Sequence, residues 1–409
     1  MFCHCSLQSR IQEGDNLMEL RYDLERDRRK RKITGYIFIF LFILSLILSC
    51  GCLDATSQAS QPVDNRTGMD MAPSASAGPA TSESNPVHAQ PVNGIHPSTG
   101  REIEVITSDG TAVRLPSTVN RIIAANGDAA ELLIALGAEG KIVGVTDSVA
   151  SDSVLNPYIA NARSIGNWQT PDIEAMLELH PDIVITYGSY RPKNIDRILA
   201  MNVSVLSIDC YHLDSLSRDI QSLAVLTGRE SEAIPLIAFI ERSKEITRER
   251  VGGIDQRTKP RVFIESYTEY TVSGKGSAAD TLITFAGGIN IAGNDSQPSF
   301  KVNPEWIVTQ NPDVIIKLVP GNKPWEEYPK IKEILLNRPG FANVSAVQNN
   351  RIYLLNGEYA FGPRVSAGIL AIGKILYPER FEDIDPNELV SEYRRKFLDT
   401  VPEGQMLFH

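Results

Sequence analysis

Apolar and polar positions fall into two alternating rhythms along this chain. Short β-branched runs such as Ile183-Val-Ile185 and Val314-Ile-Ile316 alternate with stretches whose apolar residues recur at helical spacing. The runs suit strands covered on both faces, and the stretches suit amphipathic helices. Glu102–Ile106 and Ala112–Leu115, around Ser108-Asp-Gly110, predict a hairpin. Arg121–Ala125 predicts a strand, Asp128–Leu136 a helix stopped by Gly137, and Lys141–Thr146 a further strand. Ile195–Met201 reads as a helix, Val203–Ile208 as a strand and Asp214–Leu226 as a helix ending at Gly228. Glu230 to about Val251 predicts one long helix with Ala233, Ile234, Ile237, Ile240 and Ile246 on its apolar side. Further on, Arg261–Glu265 and Arg351–Leu355 predict strands, and Ile331–Leu336, Val365–Leu376 and Pro386–Phe397 predict helices. This alternation predicts an α/β protein with mostly parallel sheets.

One unit occurs twice. Asp172-Ile-Glu174 leads through about two helical turns to Pro181-Asp182-Ile-Val-Ile185; Asn303-Pro-Glu305 leads likewise to Pro312-Asp313-Val-Ile-Ile316. Each reads as helix, proline stop, buried strand. A second signature precedes each copy: Asp128-Ala-Ala-Glu131 closing at Gly137, and Ser277-Ala-Ala-Asp280 closing at Gly287. Two signatures in the same order predict two similar lobes and a cleft between them.

The N-terminal hundred residues read differently. Residues 1–32 are a basic segment ending in the run Arg26–Lys32, and Met18 is an alternative initiator. Residues 33–52 are apolar and end in Leu48-Ser-Cys50-Gly-Cys52, the layout of a secretory signal with a lipid-attachment cysteine. Gly51-Cys52 is the preferred site and Ser49-Cys50 the second; an uncleaved signal anchor is the alternative. Residues 53–101 are rich in Ser, Pro and Ala and predict a disordered tether. The expected layout is then a first lobe over 102–228, a connecting helix over 229–252 and a second lobe over 253–409.

Composition narrows the chemistry. The net charge of −10 argues against a nucleic-acid partner. Of five cysteines only Cys210 lies in the body, and of six histidines only His180 and His212 lie in ordered sequence, so neither a disulfide nor a histidine-built metal site is expected there. No phosphate-binding glycine motif opens a helix, and no Ser/His/Asp or Cys/His set falls together; no catalytic residue is assigned.

From Trp168 to Ile185, with its echo at Glu305 to Ile316, the chain resembles the substrate-binding proteins of ABC importers for iron–siderophore, haem and cobalamin. Arg121-Ile-Ile, Leu136-Gly-Ala, Lys141-Ile-Val-Gly-Val, Ile165-Gly166 and Ala286-Gly-Gly-Ile-Asn290 carry the same resemblance, which covers roughly residues 101–400. It implies two α/β lobes joined by one long helix, with the ligand between them. It also implies that Glu174 and Glu305 pair with arginines of the permease. The alternative for each glutamate is a favourable acid in a helix's first turn. The implied protein is anchored to the outer face of the cell membrane, acts as a monomer, feeds a permease with its ATPase, and needs no cofactor beyond a ligand that itself carries iron or cobalt.

Ligands of open α/β sheets bind beyond the carboxyl ends of the strands. The loops there offer Asn126, Asp128, Trp168, Tyr187, Tyr190 and Tyr211 in the first lobe, and Tyr267, Tyr270, Tyr359, Phe361 and Arg364 in the second. Rings in such number suit a large, flat or amphipathic ligand. Trp168, shortly before Glu174, is similarly placed in cobalamin-binding members of the family. Lys317 and His212 are further candidates, for an anion and a metal centre. Two other functions stay open: a cell-surface binding or adhesion protein of the same fold, and a redox enzyme with a cofactor in the cleft.

Overall fold

The structure is a computed structural model that describes residues 102–117, 119–321, 323–400 and 406–409. The basic segment, the apolar segment with Cys50 and Cys52, and the tether over 53–101 lie outside the described residues. Among the described residues no helix is long and apolar enough to cross a membrane.

The chain opens with an antiparallel hairpin, β1 (Glu102–Ile106) and β2 (Ala112–Pro116). The first lobe follows: β3 (Ile122–Ala124), α1 (Gly127–Ala135), β4 (Ile142–Val145), α2 (Asp147–Ala150), β5 (Arg163–Ser164), α3 (Ile173–Glu178), β6 (Ile183–Thr186), α4 (Ile195–Leu199), β7 (Ser204–Ser207) and α5 (Leu216–Thr227). Its sheet is parallel throughout, in the order β5-β4-β3-β6-β7. After α6 (Glu230–Val251) the second lobe holds β8 (Arg261–Glu265), β9 (Thr271–Ser273), α7 (Ala278–Phe285), β10 (Ile289–Asn290), β11 (Ser299–Lys301), α8 (Pro304–Gln310) and β12 (Val314–Val319). It closes with α9 (Tyr328–Leu336), α10 (Ser345–Gln348), β13 (Ile352–Asn356), α11 (Val365–Leu376), α12 (Pro386–Phe397) and β14 (Leu407–Phe408).

The second sheet keeps a parallel centre and adds antiparallel flanks. Its order is β11-β9-β8-β12-β13-β14, with β10 also on β8. Only β10, β8, β12 and β13 pair in parallel; β9 and β11 at one side and β14 at the other run antiparallel, so the sheet is mixed. β9, β11 and β14 hold two or three residues each, too short to show a period in sequence.

The period of two along the central strands sorts their side chains between cores. Ile122, Ala124, Ile183 and Ile185 of the first sheet join Val262, Ile264, Val314 and Ile316 of the second in one continuous apolar cluster. Ile123 and Val184 face away into a separate core, as do Phe263 and Ile315 in the other lobe. α6 is central to the shared core. It packs on α5 from the first lobe and on α11 from the second. Its buried face is Ala233, Leu236, Phe239, Ile240, Ser243, Lys244 and Thr247; of the expected stripe Ala233 and Ile240 are buried, Ile237 and Ile246 are half-buried against the core, and Ile234 alone is 69% exposed. Leu236 and Phe239 set the face. The polar residues tolerate burial because Thr247 Oγ1 donates to the Ser243 carbonyl and Lys244 pairs with Glu241.

The repeated unit forms as expected, with its purpose visible in the hydrogen bonds. Asp172 caps α3 by accepting from Glu174 N and Ala175 N, and Asn303 caps α8 by accepting from Trp306 N. The residue before each proline, His180 and Asn311, takes a left-handed conformation (φ 44° and 43°), which ends the helix one position ahead of the proline. Asp182 then accepts from the backbone N–H groups of Asn120 and Arg121, and Asp313 from that of Arg261. In return Arg121 donates to the carbonyls of Leu179 and His180, and Arg261 to that of Gln310. Each Pro-Asp therefore fastens a helix end and its following strand to the start of the sheet's central strand.

Candidate functional site

Glu174 and Glu305 stand exposed in the first turns of α3 and α8, and neither forms an ion pair among the described residues. Their equivalent placement follows from the shared cap-helix-proline unit.

The aromatic loops gather at the carboxyl ends of the strands. In the first lobe Trp168 meets Tyr187 edge-on at 5.4 Å between ring centroids, and Tyr187 meets Tyr211 at 5.9 Å. Tyr211 in turn stacks on Tyr190 at 6.4 Å and lies 4.2 Å from His212. Five residues from three loops thus form one run of rings, four of them named from sequence as ligand candidates. The buried Asp209 holds this arrangement. It accepts from Gly188 N, Ser189 N and Ser189 Oγ, which fixes the loop that carries Tyr187 and Tyr190, and His212 Nε2 lies 3.9 Å away. Cys210 takes φ 61° between Asp209 and Tyr211, and its buried thiol is pushed up by desolvation and by Asp219, away from reactivity.

Asp128, in the first turn of α1, accepts from the Tyr187 hydroxyl at 3.1 Å. Desolvation, and then the neighbouring Glu131 carboxylate, push the Asp128 carboxyl up to about 7, against the Tyr187 bond and the Arg364 charge. Desolvation and the Asp128 carboxylate hold the Tyr187 phenol well above its ordinary range. Asn126 has another duty. It is buried, its Oδ1 caps α1 at Asp128 N and Ala129 N, and its Nδ2 donates to the carbonyls of Ile208 and Asp209. All its polar capacity is used inside the lobe.

The second lobe divides its candidates. Tyr267, 48% exposed, lies over Gly357, where any Cβ would collide with the phenol. Desolvation first, and then the charges of Asp128 and Glu358, raise that phenol to about 12. Tyr270 instead belongs to a buried network: the Arg338 guanidinium lies 4.3 Å over its ring, and its N–H donates to Glu265. Glu265, wholly buried, also pairs with Arg338 at 2.7 Å and Lys317 at 3.1 Å. Lys317 further donates to the carbonyls of Ser266 and Tyr267, so it anchors the Tyr267 loop from within. Tyr359 is buried with its hydroxyl accepting from Arg394, and Phe361 is half-buried against the shared core.

Arg364 is not a free cation. Only 4% exposed, it donates from Nε and Nη2 to the two oxygens of Glu131, both at 2.9 Å, and from Nη1 to Glu358 at 3.0 Å. Burial opposes its charge, yet Glu131 and Glu358 outweigh burial and hold it firmly protonated. Glu131 lies on α1, so this bidentate pair spans the two lobes. Beside it Gly362, at φ +68°, approaches Asp128 so closely that a Cβ there would overlap the carboxylate. The carboxyl ends of β3 and β13 are therefore brought together, with Asp128, Glu131, Arg364 and Gly362 where the two lobes meet. Glu131 and Glu358 had no chemical signal in sequence; Glu131 stands 233 positions from its partner.

Two facing α/β lobes with a long helix packed on both and rings along the cleft define a solute-binding protein. The chain belongs to the periplasmic binding protein family, whose profile matches residues 122–359, more than half its length. It is 23% identical over 319 residues to the molybdate-binding protein MolA of Haemophilus influenzae, covering 70% of this chain and 88% of that one. The structure of MolA bound to molybdate superposes with a TM-score of 0.63 over 74% of this chain and 99% of that one. An uncharacterized ABC transporter substrate-binding lipoprotein of Bacillus subtilis, YvrC, is 23% identical over 284 residues, covering 67% of this chain and 84% of that one. The vitamin B12-binding protein of Yersinia pestis is 24% identical over 202 residues, 48% of this chain and 68% of the other. These relatives are solute-binding proteins of ABC transporters, and this chain is a binding protein of that kind, not an enzyme.

Proposed function

We propose that the protein captures a metal chelate of the ferric siderophore, haem or cobalamin kind outside the membrane and delivers it to an ABC importer. The observation that carries this reading is the run of rings from Trp168 through Tyr187 and Tyr211 to Tyr190, with Tyr267 on the other lobe. Such surfaces bind large conjugated or amphipathic ligands by stacking, and a bare ion has no use for them. The vitamin B12-binding relative supports a ligand of that size. Delivery would place Glu174 and Glu305, exposed at matching places on the two lobes, against the permease. Charge pairs of this sort add little affinity and fix orientation. Lipidation at Cys52, or Cys50, would tether the protein, and the lipoprotein name of the Bacillus relative supports it.

Titration of the Trp168 emission with cyanocobalamin, haemin and ferric hydroxamates tests the reading. Saturable quenching at micromolar or lower chelate is expected. No response to any chelate would remove it in favour of another ligand for the same fold.

A further inference from the structure

Resting on that reading, we infer that the cleft selects chelates that are neutral or positively charged and rejects anionic ones. The structure carries this through the fate of its cations. At the floor of the cleft Asp128, Glu131 and Glu358 face a single guanidinium, Arg364, which is already held by two of them. Lys317, at the carboxyl end of β12, is consumed by Glu265 and by the carbonyls of Ser266 and Tyr267. His212 lies against Asp209. The local excess is negative, and among the described residues the hydrogen bonds of Arg364 and Lys317 go to the protein's own carboxylates and carbonyls, which leaves their charge already balanced when a carboxylate, catecholate or oxyanion arrives.

The polar groups left for a ligand are of one kind. The Tyr190 and Tyr211 rings, and the Tyr267 phenol over Gly357, offer hydroxyls and π-faces, and the π-faces favour a cation. Glu358 is 40% exposed, so a positive ligand group can reach its carboxylate without breaking the Arg364–Glu131 pair. Arg191 and Lys193 do lie on the loop beyond Tyr190, but both are exposed, where solvent and salt screen them. An anion entering the cleft would leave these rim cations behind and approach the carboxylates. One unit of like charge at about 10 Å and an effective dielectric near 20 weakens binding by roughly tenfold or more. Selection by charge would therefore separate this site from that of a protein that binds molybdate, although the folds superpose.

The test is a competition series by fluorescence and calorimetry at low and physiological salt. The probes are cyanocobalamin, a neutral and a monocationic ferric tris-hydroxamate, a trianionic ferric tris-catecholate, haemin and sodium molybdate. The expected result is that at least one neutral or cationic chelate binds, that the tris-catecholate and molybdate bind at least about tenfold more weakly or not at all, and that the cationic probe loses affinity as salt rises. At pH 8, where Asp128 has released its proton, the double variant Asp128→Asn with Glu358→Gln should shrink the gap between neutral and trianionic probes by about tenfold. Tightest binding of the tris-catecholate, haemin or molybdate would overturn the charge selection. If that binding vanished in Arg191→Ala with Lys193→Ala, the rim cations would be what decides. Should no chelate of any charge bind, the reading of the function itself fails, a result distinct from chelates binding in the wrong order.

Discussion

Removing the guanidinium of Arg364 should be among the most costly single changes available in this protein. Arg364 and Glu131 are 4% and 8% exposed at their side chains, and they meet through two bonds of 2.9 Å. Arg364→Met strands the Glu131 carboxylate in a buried site with no cation, a situation that costs about 3–5 kcal/mol. Glu131→Gln is expected to cost less, about 2 kcal/mol, because Arg364 keeps Glu358 at 3.0 Å and Gln still accepts one bond. With both changed, neither charge is stranded, so the double variant should be more stable than the sum of the singles predicts by at least about 1.5 kcal/mol. Equilibrium denaturation in urea of the four proteins measures all three values. Because the pair joins α1 to the segment ahead of α11, the Arg364→Met protein should also show a larger radius in solution scattering as the lobes part. Single changes costing under about 1 kcal/mol, the range of an exposed pair, or fully additive costs would refute the account of a buried latch.

Other consequences are equally direct. Asp128 has a native carboxyl raised to about 7 from 3.8, so between those values the folded protein holds a proton that the unfolded chain has released. Stability should therefore fall as pH rises through that window. Asp128→Asn should remove this slope and be more stable than the wild type at pH 8 by roughly 2 kcal/mol; parallel pH profiles in thermal melts would contradict the shift. Reversing charge at Glu174 and Glu305 together should abolish uptake in cells while chelate affinity in solution stays as it was; sustained uptake would show that the two glutamates are ordinary first-turn acids. Asp313→Ala should cost about 1 kcal/mol and Asp182→Ala up to about twice that, since Asp313 holds one backbone N–H at the start of a central strand and Asp182 holds two; a larger loss for Asp313→Ala in urea titrations would contradict the clamp.

The parts of the site legible in sequence were those governed by local rules. Tyr187, Tyr190 and Tyr211 follow strands, and strand ends are marked by where an apolar run stops; Trp168 stands in a loop just ahead of the first repeated unit, and the structure brings all four into one run of rings. Asn126 and Tyr359 follow strands too, yet one became a helix cap and the other a buried neighbour of Arg394, because a loop residue faces a cleft or a core according to what packs above it. Arg364 looked like a loop cation free for a ligand, whereas its partner lies across the molecule on α1. Tyr270 looked like a ring for the cleft, and the buried charge of Arg338 claimed it.

The sequence by itself determined the α/β class, the twofold repeat, the long helix and the order of nearly every central element, since hydrophobic period, caps and proline stops act over a few residues. It also marked Pro-Asp as a repeated stop, though the clamp from Asp182 to Arg121 and from Asp313 to Arg261 needed the strands side by side. The antiparallel flanks of the second sheet, the buried face of α6 and the charge of the cleft were decided only by tertiary structure. Each depends on groups far apart in the chain that share one desolvated space, where a carboxylate or guanidinium must find its counter-charge wherever the fold delivers it.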